Sequence, residues 1–180
     1  MTGRLIAVVG PSGVGKDSVM RAMVDTMPNM VLARRVITRP SDAGGEDFDG
    51  VTDAVFDQML REEAFVLSWP AHGLRYGIPR AVLRDLDASR DVLANLSRKV
   101  LQEAAARFPH FTIILLSASP DVLAARLRAR GREDEAEIAR RLAQAAYTLP
   151  DDLPVHQIDN SGALDDTVTA ALRAVQPARA

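Results

Sequence analysis

A glycine-rich loop between a predicted strand and a predicted helix constrains this chain more than any other stretch. Residues 5–24 read LIAVVGPSGVGKDSVMRAMV, an apolar run, a loop, and then apolar residues at helical spacing. The spacing from Gly10 to Gly15 and Lys16 is that of a phosphate-binding loop. Glycines let consecutive backbone N–H groups point at phosphate oxygens, and the helix N-terminus adds its positive dipole end. The stretch therefore predicts a nucleotide site in which Lys16 reaches the β- and γ-phosphates.

The predicted nucleotide-binding residues are the loop and the first helical turn: Gly10, Pro11, Ser12, Gly13, Val14, Gly15, Lys16, Asp17 and Ser18. The usual pattern has Ser or Thr after the lysine, where its hydroxyl binds Mg²⁺, but here Asp17 stands there and Ser18 follows. We predict that Asp17 binds Mg²⁺. The alternative is that Ser18 binds it and Asp17 is only an acid favoured by the helix dipole. An ordinary glycine-rich turn is the alternative for the whole loop, and the flanking strand and helix argue against it.

Composition narrows the class of protein. The chain has 180 residues, of which 47% are hydrophobic, which is enough for one domain with a full core. The net charge of −2 argues against nucleic acid as a partner, and without cysteine there are no disulfides and no thiolate chemistry. No apolar run approaches the roughly 20 residues that span a membrane, and the N-terminus lacks a signal-peptide layout. We therefore expect a cytoplasmic protein that acts on small molecules, with Mg²⁺ brought in by a nucleotide as the expected metal.

Predicted strands and helices alternate along most of the chain. This alternation predicts an α/β fold with a parallel sheet and helices on both faces. The continuous apolar run at residues 111–116 is typical of a central parallel strand, and residues 31–37 are predicted as one further strand. The alternation is lost over residues 38–90, which we interpret as an inserted module with its own small sheet. The core of this single domain would then be residues 1–37 and 91–180.

Arginines cluster on two consecutive predicted helices: Arg126, Arg128, Arg130, Arg132, Arg140 and Arg141. Such a run is more often a solvated charged face, and an acid such as Glu137 can pair with Arg141 four residues later. The functional alternative is a helical lid, about residues 126–147, whose arginines close on a transferred phosphoryl group. The phosphate-binding loop in the same chain favours the lid.

Polar and basic residues near the inserted module are candidates for binding an anionic acceptor. They are Arg35, Arg39, His72, Tyr76, Asn95 and Arg98. The two arginines flank the start of the module, where surface solubility is the alternative. The His and the Tyr lie in a Gly-bounded turn, and core packing is the alternative for the Tyr. The last two residues follow a predicted strand, at the carboxyl end where such folds bind ligands.

Four segments together resemble the guanylate-kinase group of P-loop kinases: GPSGVGK, ITRP…GGE, FxxxWxAHGxRYG and RARGREDEAEIARRL. In that group the inserted module holds the phosphate acceptor and the RG…RL segment is the lid. The resemblance implies that Arg130 and Arg141 face the transferred phosphoryl group. It also implies that Arg39, Glu46 and Tyr76 face the acceptor.

The chain departs from guanylate kinases where the acceptor is bound. It lacks their second arginine between TR and GE, and Leu67 or Ser68 stands where they read guanine with an acid. The combination GKDS, RVITRP, VLSW, AHGLRYG, DNSG and RGRE instead resembles the ribose 1,5-bisphosphate phosphokinase family of phosphonate catabolism. Its members make 5-phosphoribosyl 1-diphosphate (PRPP) from ATP and ribose 1,5-bisphosphate. A sugar bisphosphate has no guanine to recognise, which agrees with the missing acid.

The sequence therefore predicts an ATP-dependent kinase whose acceptor is a phosphate group, with Lys16, Arg130 and Arg141 as catalytic residues. An acceptor phosphate, with a second pKa of about 6, is largely anionic at neutral pH and needs no general base. Two alternatives stay open. One is a guanylate or other nucleoside-monophosphate kinase. The other is an inactive guanylate-kinase-like interaction module, which would have no reason to keep the loop and the lid arginines together.

Overall fold

A computed structural model describes residues 2–40, 47–131, 134–143, 149–150 and 152–176. Within these residues nine strands and seven α-helices follow one another. The strands are β1 (Leu5–Val9), β2 (Met30–Leu32), β3 (Arg35–Ile37), β4 (Phe48–Gly50), β5 (Phe65–Ala71), β6 (Leu74–Pro79), β7 (Asp91–Asn95), β8 (Phe111–Ser117) and β9 (Val155–Asp159). The helices are α1 (Lys16–Thr26), α2 (Asp53–Arg61), α3 (Val82–Asp87), α4 (Leu101–Arg107), α5 (Pro120–Arg130), α6 (Glu135–Ala143) and α7 (Leu164–Val175), with one turn of 3-10 helix at Arg98–Val100.

The chain forms two compact units that share strand β1. Unit 1 is built from the segments 1–7 and 28–111, and unit 2 from the segments 8–27 and 112–180. None of the described helices is both long and apolar enough to cross a membrane. The boundaries of the acceptor module and of the lid remain predictions.

Parallel strands confirm the predicted α/β architecture. In unit 1, β2 pairs in parallel with β7, and β7 is followed in the sheet by β1. In unit 2, β1 is followed by β8, which pairs in parallel with β9. The strand order is thus β2-β7-β1-β8-β9, and helices flank the sheet. Strands β1 and β8 are buried apolar runs, as expected of strands covered on both faces.

A second, four-stranded sheet lies in unit 1 and combines three strands of residues 38–90 with β3, which precedes that region. Its order is β4-β3-β6-β5, and β5 and β6 form an antiparallel hairpin. The hairpin turn is His72 and Gly73, both with positive φ, at 52° and 72°. Two successive residues with positive φ are what the tight turn of a twisted hairpin requires.

The prediction of one strand over residues 31–37 is wrong. The chain leaves the parallel sheet after β2 and enters the second sheet at β3, so the two short strands belong to different sheets. Arg34 stands at this change of sheet, with an exposed side chain that forms ion pairs with Asp47 and Asp49 at 3.3 and 2.9 Å. A charged residue that pairs with the neighbouring β4 segment thus stands between the two short strands.

The helix after the loop is anchored through its apolar side. Val19, Met20 and Met23 of α1 are buried, and so are Val168 and Ala171 of α7, the helix that α1 contacts. Burial of each large apolar side chain stabilises the fold by about 1.5–3 kcal/mol. The phosphate-binding loop therefore connects a buried strand to a helix whose apolar side is buried.

Candidate active site

The loop between β1 and α1 has the backbone conformation that its glycines permit. A Cβ on Gly10 would lie 2.5 Å from the carbonyl oxygen of Leu116 on β8, so only glycine fits there. Gly15 is the N-cap of α1 and has φ 95°, a left-handed conformation that glycine adopts without strain. Gly15 also has no side chain, so it supplies no side-chain cap to the first turn of the helix. This arrangement favours phosphate.

The ammonium group of Lys16 lies across the loop. Its Nζ donates to the carbonyl oxygens of Gly10 and Pro11 at 3.0 and 3.2 Å. These partners are neutral, whereas phosphate oxygens would form stronger, charge-assisted hydrogen bonds. Lys16 is thus held where it can transfer to the phosphates of a nucleotide.

A cavity of about 330 Å³ opens beside the loop in unit 2. Its lining combines loop glycines, a hydroxyl, two arginines, an amide and one apolar side chain: Gly13, Gly15, Ser18, Arg126, Arg130, Asn160 and Leu164. The volume lies within the usual range of small-molecule sites. The cavity therefore contains both cationic groups and a partly apolar wall.

Three arginines of the predicted lid lie on the loop side. Arg130, at the end of α5, lines the cavity. Nη1 of Arg141, on α6, donates to Oγ of Ser12 at 2.6 Å, and Nη1 of Arg126 donates to the carbonyl oxygen of Val14 at 3.2 Å. Of the two predicted catalytic arginines, Arg141 thus contacts the loop, and Arg130, which is exposed, lines the cavity beside it.

Two other arginines match the alternative of a solvated face. The side chains of Arg128 and Arg140 are 56% and 66% exposed and form ion pairs with Glu135 and Glu137. Hydrogen bonds from Arg128 lower the pKa of Glu135, and the same contact raises the pKa of Arg128. Arg132 lies outside the described residues. The arginine cluster thus has two parts, one at the loop and one in solvent.

The predicted pairing of Glu137 with Arg141 is present, with Nε of the arginine 3.0 Å from Oε1. Helices α5 and α6 also share a small apolar cluster of Ala124, Leu127, Ile138 and Leu142. Together these contacts hold α6 so that Arg141 can extend to the loop.

Three of the predicted acceptor-binding residues lie together in unit 1. Arg35 on β3 is only 8% exposed, and its Nη1 donates to the carbonyl oxygen of Asn95 at 3.0 Å. Its guanidinium carbon lies 5.0 Å from the ring centroid of Tyr76 on β6, which itself stacks on Trp69 at 5.6 Å. A cation is thereby held by an aromatic face and a strand-end carbonyl. Tyr76 is half-buried, so packing and ligand binding are both compatible with its position.

The other predicted acceptor-binding residues lie on different elements. The Arg39 guanidinium lies 4.3 Å from the ring centroid of Phe48 on β4. His72 is exposed at the tip of the β5–β6 hairpin, and Arg98 is exposed at the first position of the 3-10 turn. Glu46 lies outside the described residues.

The strand that would read guanine offers it no acidic group. Leu67 on β5 is 1% exposed and belongs to the core, whereas Ser68 is half-buried and pairs with Gly77 on β6. A buried leucine cannot accept hydrogen bonds from a base. Only the neutral Ser68 hydroxyl remains at this point of the strand.

Sequence reasoning missed one group that contacts the loop, Asn160, and did not distinguish Arg126 from the other arginines of the cluster. The Nδ2 of Asn160 donates to the carbonyl oxygen of Val14 at 2.7 Å, and Asn160 is only 3% exposed. One signal was available, because the DNSG segment follows the carboxyl end of a parallel strand, where ligands of such folds bind.

Comparison with known proteins places the chain in a family. The guanylate kinase family model matches residues 2–175. A ribose 1,5-bisphosphate phosphokinase PhnN of Ruegeria sp. is 50% identical over 179 residues, which cover 99% of this chain and 94% of that protein. The PhnN proteins of Pseudomonas paraeruginosa and Agrobacterium fabrum are 48% and 43% identical, each over 96% of this chain and over 95% and 96% of those proteins.

Solved structures agree on the fold. A guanylate kinase of Anaplasma phagocytophilum has a TM-score of 0.64 at 20% identity, covering 96% of this chain and 86% of that one. A gluconokinase of Sinorhizobium meliloti has a TM-score of 0.54 at 20% identity, covering 96% and 91%. At such identities the likeness shows the P-loop kinase fold alone. The chain belongs to the guanylate kinase family and, within it, to the ribose 1,5-bisphosphate phosphokinases named PhnN.

Proposed function

We propose that this chain transfers the γ-phosphoryl group of ATP to the 1-phosphate of ribose 1,5-bisphosphate, producing PRPP and ADP. The observation that carries the proposal is the identity of 50% to a PhnN phosphokinase over 99% of the chain. Both ligands are small molecules, and a cytoplasmic location remains part of the proposal. Neither nucleic acid nor a membrane has a part in this reaction.

The chemistry requires positioning and charge neutralisation rather than proton transfer. An oxygen of the acceptor phosphate attacks the γ-phosphorus, the bond from that phosphorus to the β–γ bridging oxygen breaks, and ADP leaves. The loop N–H groups and Lys16 hold the β- and γ-phosphates. Arg130 and Arg141 neutralise the charge that spreads over the transferred group.

The acceptor is assigned to the module of residues 38–90 and its borders. Arg35 and Asn95, with the ring of Tyr76 beneath the guanidinium, form the centre of the assigned site in unit 1. The remaining assigned residues supply cationic and polar groups for a sugar with two phosphates: Arg39, Glu46, His72 and Arg98. Residues 126–147 are assigned as the lid.

We expect ribose 1,5-bisphosphate to be a good acceptor and GMP a poor one, with kcat/KM lower by about 100-fold, because the N–H groups of a bound guanine would be left without an acidic partner. The β5 strand has Leu67 in the core and offers only the Ser68 hydroxyl. ADP release should be measured with ATP and each of ribose 1,5-bisphosphate, GMP, AMP and gluconate. Efficient phosphorylation of GMP would instead support a guanylate kinase.

The same assay separates an enzyme from an interaction module. An inactive module would release no ADP with any acceptor. ATP binding measured by calorimetry then identifies the reason, since a module that has lost the site binds no ATP, whereas a kinase tested with the wrong acceptors still does.

Mg²⁺ fits the start of α1. Asp17 is exposed in the first helical turn, and Ser18 lines the cavity. Mg²⁺ is usually bound by one or two carboxylates together with substrate phosphates, so a single acid beside a nucleotide site is sufficient. When bound, the ion supplies positive charge to the phosphate oxygens. We propose that Asp17 holds it, directly or through water.

We expect Asp17→Asn to raise the Mg²⁺ concentration needed for half-maximal activity by about tenfold, because the substitution removes one charged ligand of a hard cation. Ser18→Ala is the matched control at the neighbouring position and should have a smaller effect. Mg²⁺ titration of both activity and ATP binding gives the comparison. A large shift in Ser18→Ala with none in Asp17→Asn would assign the ion to the hydroxyl instead.

A further inference from the structure

The Val14 carbonyl in the loop is held from two sides. Its oxygen accepts from Nδ2 of Asn160 at 2.7 Å and from Nη1 of Arg126 at 3.2 Å. A trans peptide unit is planar, and its C=O and N–H bonds point in opposite directions. Fixing the Val14 oxygen therefore also fixes the N–H of Gly15, which must point to the opposite side of the loop.

The orientation of the Asn160 amide follows from the chemistry of its neighbours. A carbonyl oxygen can only accept, so the NH₂ end of the amide must face Val14. The Asn160 Oδ1 then faces the Thr167 hydroxyl, which lies 2.7 Å away. Other acceptors of this hydroxyl, the carbonyls of Asp159 and Ala163, are farther away at 3.4 and 3.3 Å. Thr167 thus donates to Asn160, and Asn160 donates to the loop.

The absence of a side chain at Gly15 allows the Asn160 amide to approach the loop. A Cβ at Gly15 would lie 2.8 Å from Nδ2 of Asn160, so a side chain there would push the amide away from the loop. Asn160 and Thr167 are both 3% exposed, which keeps water from competing for these hydrogen bonds. The amide therefore contacts the loop directly and in a dry environment.

The position of the Asn160 backbone is fixed by strand pairing and not by its side chain. Its N–H donates to the carbonyl oxygen of Ser117 on β8 at 2.7 Å, which continues the pairing of β8 with β9. Strand pairing therefore places residue 160, and its carboxamide is available for another purpose.

We propose that Asn160, oriented by Thr167, is a positioning residue for phosphate binding: it fixes the Val14–Gly15 peptide so that the Gly15 N–H faces the phosphates of the nucleotide. The inference rests on the proposed function, because it deepens the role of the same nucleotide site. It predicts that removing the hydrogen bonds of Thr167 and Asn160 lowers the affinity for phosphates and changes the environment of the Gly15 N–H, in addition to any effect on folding.

The first test uses substitutions at residue 160. Asn160→Ala should weaken the binding of both ATP and inorganic tripolyphosphate by about tenfold, measured by calorimetry, which corresponds to one hydrogen bond of about 1.4 kcal/mol. Asn160→Asp should weaken it further, because a carboxylate cannot donate to Val14 and repels the phosphates. The melting temperature of each variant reports whether it is folded.

The second test uses Thr167 and does not depend on the folding of the Asn160 variants. Thr167→Val removes the hydroxyl with little change of shape and should weaken tripolyphosphate binding severalfold. Thr167→Ser should restore it. Thr169→Val, an exposed position on the same helix, is the matched control and should bind as the wild type does.

The deciding measurement is the amide resonance of Gly15 in ¹H–¹⁵N spectra. In the wild type it should shift on addition of tripolyphosphate, and the shift should be reduced in Asn160→Ala and Thr167→Val. A purely structural role would lower the melting temperature but leave tripolyphosphate affinity and this shift within about twofold of the wild type, and that result would overturn the proposal. Failure of the wild type itself to bind ATP or tripolyphosphate would count against the proposed function instead.

Discussion

Lys16→Ala should lower phosphoryl transfer by about 10³-fold, the upper end of what loss of one positioned donor costs in a transition state. Lys16 Nζ rests on two neutral loop carbonyls and is half-buried, so its removal takes away a charge at the phosphates and not a core side chain. The expected protein is folded and nearly inactive. Initial rates of ADP formation with ribose 1,5-bisphosphate, together with a thermal melt, measure both properties.

The chain provides a matched control for this substitution. Lys99 is its other lysine and is exposed in the 3-10 turn, so Lys99→Ala removes the same charge from unit 1. That variant should keep the wild-type rate. Near-normal turnover in a folded Lys16→Ala protein would contradict the assignment of the loop as the ATP site.

Arg130→Ala and Arg141→Ala should each lower kcat by about 10³-fold, as loss of an arginine that stabilises phosphoryl transfer does, while ATP binding weakens much less. The reason is that a group acting mainly on the transition state is lost from kcat. Arg130 lines the cavity, and Arg141 extends to Ser12 of the loop. Single-turnover rates and ATP affinity of each variant separate chemistry from binding.

The controls come from the same helices. Arg128→Ala on α5 and Arg140→Ala on α6 remove arginines whose side chains point into solvent and pair with acids. Exposed ion pairs contribute little to stability, so both variants should remain folded and active. If Arg130→Ala and Arg141→Ala behave as these controls do, the whole arginine cluster is a solvated face.

Local sequence patterns were sufficient to predict those elements whose defining residues are adjacent in the chain. The loop, its strand and its helix were predictable because the glycines, the lysine and the apolar run are adjacent in the chain. The turn at His72 and Gly73 was predictable from its glycine, but Tyr76, which was expected in the same turn, lies on strand β6. The region of residues 31–37 was not predictable, because an apolar run does not say which sheet each half joins.

The candidate site likewise has one part that the sequence predicts and one part that only the structure shows. The sequence alone determined the nucleotide-binding loop, the kinase family and the presence of an arginine-rich segment, because each is encoded by residues close together in the chain. Only the tertiary structure decided which arginines turn to the loop and which to solvent, since Arg128 and Arg130 are two residues apart on one helix. It alone also showed that Asn160, which accepts a hydrogen bond from Thr167, binds the loop, because its partner carbonyl lies 146 residues earlier in the chain.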